Sequence, residues 1–522
     1  MRHFKIPGQT KFINNIYMKN LFYKNLFNVY MRVIQDLYNN YTKPKTIPLP
    51  ENPPYKLIKD MNITDNIIHA ILVNLDKDKF VSHLDNFSHY NFKRMIIQLL
   101  SGTFYTFKDT YAFKNEADFI SIMDSVKFKQ YIKCNPIYKN SDILESVVTL
   151  ETLINELGID IILIKKYNNK TSDYYIDCGY LNRFEFKPDC DSANIRGNFY
   201  YDTKTNKFKL KSVINNNKTY TQNDNIKKYD LAVRKLSSFI FTILTLEYHL
   251  GLTHLCISEP ICTFIRSSIE KSHYLYKLFY IYSMDSFIPN EHAIPGLLME
   301  GGIPQFTNLT QNGINDYLNY IKNNLDWSKY TIPFDTYYPK TSESNNIRAQ
   351  WYYLYYKFVN SMIPLNIDND KQTTLFIDFI KSTYINLWDD SVADRLNLIN
   401  VCSLVLYSTI IHESAANSSI NKIICNPYIL STVWRKGNNI NDCISHYHEV
   451  SKAIFICLVA SIDKYPLKDS YKQYYNYIKN NKASQTELDA FSTFINDINI
   501  LATQLDKSNI YHPDNMIGGI YV

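Results

Sequence analysis

Two histidines, His249 and His254, stand five residues apart in "EYHLGLTHLCI", inside one of the most apolar stretches of the chain. An imidazole offers a nitrogen lone pair, and two converging neutral imidazoles in an apolar helix make good ligands for a transition metal. On a regular α-helix this spacing leaves the rings about 140° apart, and both would be ordinary core histidines on different faces. If the helix opens into a π-bulge, five residues make a little over one turn and the rings converge; such bulges often occur at functional sites. A metal needs further ligands. "VLYSTIIHESAANSSINKI" places His412 in a second apolar helix, with Asn417 again five residues on. His446 and His448, in "HYHEV", are two apart and face opposite ways on a helix. His69 and His273 have no partner at ligand spacing. The residues thus offer two histidines from one central helix, one from a second, and an optional amide.

These side chains need long helices to position them. "MKNLFYKNLFNVYMRVIQDLYNNY" (18–41) spaces apolar groups by three and four, an amphipathic helix, and "TKPKTIPLPENPPY" (42–55) is a proline-rich extended connector. Between 150 and 220 the pattern shifts to short strands: "DIILIKKY", "DYYIDCG" and "GNFYYDTKTNKFKLKSVI", the last a hairpin turning at Thr203–Asn206. Beyond 220 the periodicity is helical almost to the end. The reading is a segment 1–55 comprising the amphipathic helix and its connector, then one large mainly α domain over 56–522 with a small β insertion.

Composition narrows the classes. Thirteen glycines disfavour a turn-dense all-β architecture. The 44 tyrosines read mostly as the codon bias of an AT-rich genome. A net charge of +6 with no lysine or arginine block argues against a nucleic-acid partner. Nine scattered cysteines without a CxxC pair point to reduced thiols rather than a disulfide framework. The apolar run Phe239–Ile257 is long enough to cross a membrane but carries Glu247 and both imidazoles, and the N-terminus shows no signal-peptide pattern. A cytoplasmic monomer with at most peripheral membrane contact is expected.

The order of these motifs resembles that of the lipoxygenases. "HLGLTH" followed by "EP", then "HYLYKLF" fourteen residues after the glutamate, is similar to the family's central signature. "LAVRKLSSF", "LLMEGGI" and "YYPKTSESNNIRAQWYYLYYKFV" resemble the segments around it, the 198–214 hairpin the one ahead of the core, and "IYHPDNMIGGIYV" the family's terminus. The resemblance covers roughly 150–522. It implies a catalytic domain with a long, π-bulged central helix and without the family's N-terminal β-barrel. It also implies a single non-haem iron, or manganese, held by His249, His254, His412, Asn417 and the α-carboxylate of Val522. Asn417 is nominated because "HESAAN" resembles a variant His-Glu-x-x-Gly-Asn pattern, whereas the commoner spacing would fall on Ala416. The implied chemistry is hydrogen abstraction from a bis-allylic methylene of a polyunsaturated fatty acid, then addition of O2 to give a hydroperoxide. The metal carries the reaction, so no side chain is assigned a catalytic role. One extra residue between His254 and Glu259 keeps a second reading open: a catalytically silent lipoxygenase fold that binds lipid or a partner.

Overall fold

The structure is a computed structural model. It describes residues 150–156, 163–167, 173–283, 303–324, 343–384, 387–424, 432–437, 443, 467–480, 483–507 and 509–516. The N-terminal amphipathic helix, its connector, the boundary at 55, His446, His448 and Val522 lie outside the described residues.

The described residues begin with helix α1 (Leu150–Glu156) and an antiparallel meander. Its strands are β1 (Lys165–Lys166), β2 (Asp173–Asp177), β3 (Ile195–Asp202), β4 (Lys207–Asn215) and β5 (Lys218–Tyr220), paired in sequence order. The β3–β4 hairpin turns where the sequence places it, with Asn206 at φ 52° closing the turn. β5 was not expected. It is three residues long and follows a turn in which Asn216 and Asn217 both take positive φ, a conformation asparagine tolerates better than most residues. The part of β4 that β5 does not cover is satisfied by α1. Asn155 exchanges hydrogen bonds with the backbone of Phe208, and the N–H of Leu210 donates to Glu151 Oε1 at 2.8 Å. The uncovered edge is thereby closed to other strands.

One continuous helical axis, Ile226–Ser268, runs through the molecule in three registers. These are α2 (Ile226–Ile243), a π-helix (Leu244–Ser258) and α3 (Glu259–Ser268). Asn225 caps it, accepting from the N–H groups of Lys227 and Lys228. The sheet leans on α2 at Gly197, where an added Cβ would lie 2.6 Å from Leu236. Beside that contact the buried Lys235 ammonium donates to Asp191 and Asn215, tying axis to sheet without leaving a lone charge in the core. The stretch Ile226–Ile265 has the length and apolarity of a membrane span, yet 78% of its most apolar window is buried inside the protein. Its hydrophobicity belongs to the core.

The other long helices among the described residues are α4 (Tyr274–Ser283), α5 (Gln311–Asn323), α6 (Glu343–Met362), α7 (Lys371–Thr383), α8 (Asp394–Ile424), α9 (Leu467–Asn480) and α10 (Gln485–Gln504). α5 and α8 pack on the π-helix, and α6 lies between α8 and α10. Arg348 of α6 donates to the Tyr407 hydroxyl of α8 at 3.1 Å, inside the core. Trp351, one turn further along α6, donates to the carbonyl of Tyr511 at 3.0 Å. The architecture is mainly helical with a small sheet, as the sequence suggests, and among the described residues no disulfide joins the cysteines.

Candidate metal centre

The π-helix exists because several residues support a five-residue hydrogen-bond step. The Thr253 hydroxyl donates to the Tyr248 carbonyl, five residues back, at 2.7 Å. The N–H of Glu259 reaches the His254 carbonyl, again five back. Pro260, in the first turn of α3, has no N–H to continue the ladder, and the hydroxyl of Tyr384 donates to the Ile257 carbonyl at 3.2 Å. Gly251 lets α5 close on the axis. A Cβ there would stand 2.7 Å from the Leu246 carbonyl oxygen and 2.9 Å from Ile321.

That register answers the question posed by the two histidines. With five residues to a little over one turn, His249 and His254 project to the same side, their ring centroids 4.8 Å apart and their planes at 80°. Their Nε2 atoms are 3.1 Å apart, and the residues are 6% and 0% exposed. Helix α8 meets them with a third donor. Glu413, 1% exposed, places Oε2 at 3.4 Å from His249 Nε2 and 3.3 Å from His254 Nε2. Among the described residues, this is where three metal-ligating side chains converge.

Burial raises the Glu413 carboxyl, but the imidazoles of His254 and His249 outweigh it and hold the group well below the usual carboxylate range. The site therefore brings one carboxylate oxygen and two imidazole nitrogens within 3.4 Å of one another. Three donors bound to one ion at metal–ligand lengths near 2.1 Å would stand about 3.0–3.4 Å from one another, and the three observed separations lie in that range. The donor set thus fits a divalent transition metal in spacing and in donor type.

A second polar cluster steadies the opening turn of the π-helix. Tyr180 and Tyr317 both donate to Glu247 Oε2, at 2.5 and 2.6 Å, and their hydroxyls are 3.0 Å apart. Burial pushes both phenols well above their ordinary range, reinforced by Tyr317 and Glu247 at Tyr180 and by Glu247 at Tyr317, so they remain protonated donors.

Of the residues singled out from sequence, His249 and His254 are brought together. His412 and Asn417 lie on α8, which is α-helical throughout Asp394–Ile424. The local bulge that their five-residue spacing would require is not there. Val522 is outside the described residues, but the chain leading towards it is tied down: Tyr511, His512, Asn515 and Met516 are buried, and the Met516 carbonyl accepts from the N–H of Leu467 at 2.8 Å. His273, without a ligand-spaced neighbour in sequence, pairs with Asp370 at 2.7 Å. Sequence reasoning misses Glu413 because it adjoins His412, and a glutamate in a helix usually faces solvent. The signal that could have revealed it is its position in an otherwise apolar and small-residue run.

No protein-family model and no curated protein sequence matches the chain. Solved structures do. The manganese lipoxygenase of Gaeumannomyces graminis is 12% identical, with a TM-score of 0.61 over 84% of this chain and 92% of that one. A Delta413-417:GS LOX in complex with arachidonate is 16% identical, with a TM-score of 0.59 over 82% and 74%. The fungal lipoxygenase from Fusarium graminearum is 12% identical, with a TM-score of 0.60 over 76% and 77%.

Proposed function

The chain has a lipoxygenase-like fold, and we propose that it is a non-haem metal dioxygenase acting on a polyunsaturated fatty acid. The observation that carries this reading is the buried convergence of His249, His254 and Glu413 at the bulged centre of that fold. His249 and His254 hold the metal, α8 supplies a further donor from the stretch containing His412, Glu413 and Asn417, and the carboxylate of Val522 completes the set. Iron or manganese so held supplies a one-electron oxidant for a bis-allylic C–H bond.

The protein's own residues do the rest. Leu246, Leu250, Leu252 and Ile257, all buried on the bulged helix, keep the segment that carries the two histidines in apolar surroundings. Tyr180 and Tyr317, clamping Glu247, fix the turn that carries His249. Substrate orientation rather than side-chain acid–base chemistry is the task of the residues around the donors, since hydrogen abstraction and O2 addition require no protein nucleophile.

Oxygen uptake tests the proposal. Protein loaded with iron or manganese should consume O2 on addition of linoleate and build conjugated-diene absorbance in step, and His254→Ala should abolish both. Binding of linoleate without O2 consumption would establish the silent-fold alternative.

A further inference from the structure

We propose that Glu413 is itself a metal ligand, giving a centre of two imidazoles and one side-chain carboxylate with His412 outside the coordination set. The inference rests on the metal-centre reading above and decides which residue of α8 serves it. Two observations lead to it, the donor geometry and the helix register. The Glu413 carboxylate lies within 3.4 Å of both Nε2 atoms and is 1% exposed, so one ion at the common centre of the three atoms engages all three donors.

The helix register agrees. α8 is regular, so adjacent positions stand about 100° apart round its axis, and with Glu413 at the centre position 412 falls on a different face. Position 417 lies four residues beyond Glu413, and that spacing returns to the same face. Glutamate and asparagine at this spacing form a pair along one face, which His412 and Asn417, five apart, do not. An oxyanion is a harder donor than imidazole and favours manganese and iron over softer ions. Relative to an all-imidazole set, it also stabilises the trivalent over the divalent state.

Mn2+ binding to chelator-stripped full-length protein provides the test, read by elemental analysis after desalting and by the electron paramagnetic resonance spectrum of the bound ion. Wild type should retain close to one equivalent. Glu413→Gln, which keeps the shape and removes the charge, should bind Mn2+ at least tenfold more weakly with an altered spectrum, and His412→Gln should bind as wild type does. Circular dichroism on each variant confirms the fold, and Glu413→Ala serves as a second variant should the amide distort the site. Wild-type affinity and spectrum in both Glu413 variants would overturn the assignment while leaving the metal centre standing; loss of metal in His412→Gln would transfer the role to that residue. Failure of wild type to retain Mn2+ or Fe2+ would remove the metal centre and this inference together.

Discussion

At the scale of single residues, three ionisable side chains in or beside the core are each met by partners. Glu247 accepts from two phenols on one oxygen, Lys235 donates to Asp191 and Asn215, and Glu413 faces two imidazoles. Removing a buried acceptor leaves its donors unsatisfied, at about 1–3 kcal/mol each. Glu247→Ala should therefore destabilise the fold by roughly that amount in urea unfolding, whereas Tyr180→Phe, which leaves Tyr317 bonded, should cost less. Equal stabilities for wild type and Glu247→Ala would show that the clamp contributes nothing. How far this was legible in sequence varied by residue. The spacing of His249 and His254 carried its meaning openly, because only a bulge makes that interval converge. Glu413 and Glu247 did not, because a glutamate on an apolar helix looks the same in sequence whether it faces solvent, two tyrosines or two histidines.

At the scale of elements, the π-helix is the device on which the site depends, and its length of 15 residues exceeds the single bulge that the histidine spacing suggests. Its extent was hidden because the supporting contacts, α5 pressing on Gly251 and Tyr384 reaching Ile257, come from distant parts of the chain. Gly251→Ala should force α5 away from the axis, costing about 1–3 kcal/mol as overpacking does, and should lower metal retention. An alanine variant with unchanged unfolding midpoint and metal content would refute that role. A different joint links α4 to α7. Asp370 caps α7 through the N–H groups of Gln372 and Thr373 and also accepts from His273 at the start of α4. Burial raises its carboxyl, but the His273 interaction and these backbone bonds prevail, so its pKa is lowered. A depressed carboxyl stabilises the fold above its unfolded pKa, about 4, and that contribution is lost as pH falls through the folded value. Asp370→Asn should thus melt below wild type at pH 6, with the gap closing as the pH approaches 2. A gap that widened on acidification would contradict the assignment.

At the scale of the whole molecule, the order of elements was the most legible feature. Among the described residues, the hairpin and the long helices fall where hydrophobic periodicity puts them, since each buries an apolar face in the core. Contacts between distant segments were not legible, because nothing in a local pattern records that Trp351 holds the Tyr511 carbonyl or that Met516 meets Leu467. Those two bonds anchor the approach to Val522 inside the core. A carboxylate supplied from there tolerates no extension, so a C-terminal tag should lower bound metal below a tenth of an equivalent while an N-terminal tag leaves it unchanged. Equal metal content in the two tagged proteins would exclude Val522 from the centre. The central claim, that this fold and its buried donors perform dioxygenation, is tested most directly by incubating the metal-loaded protein with linoleate under 18O2 and weighing the product. The expected result is a hydroperoxide carrying both labelled atoms from one O2 molecule, absent when His249 is replaced by alanine. A product with one label or none, or no product from protein shown to hold its metal, would contradict it.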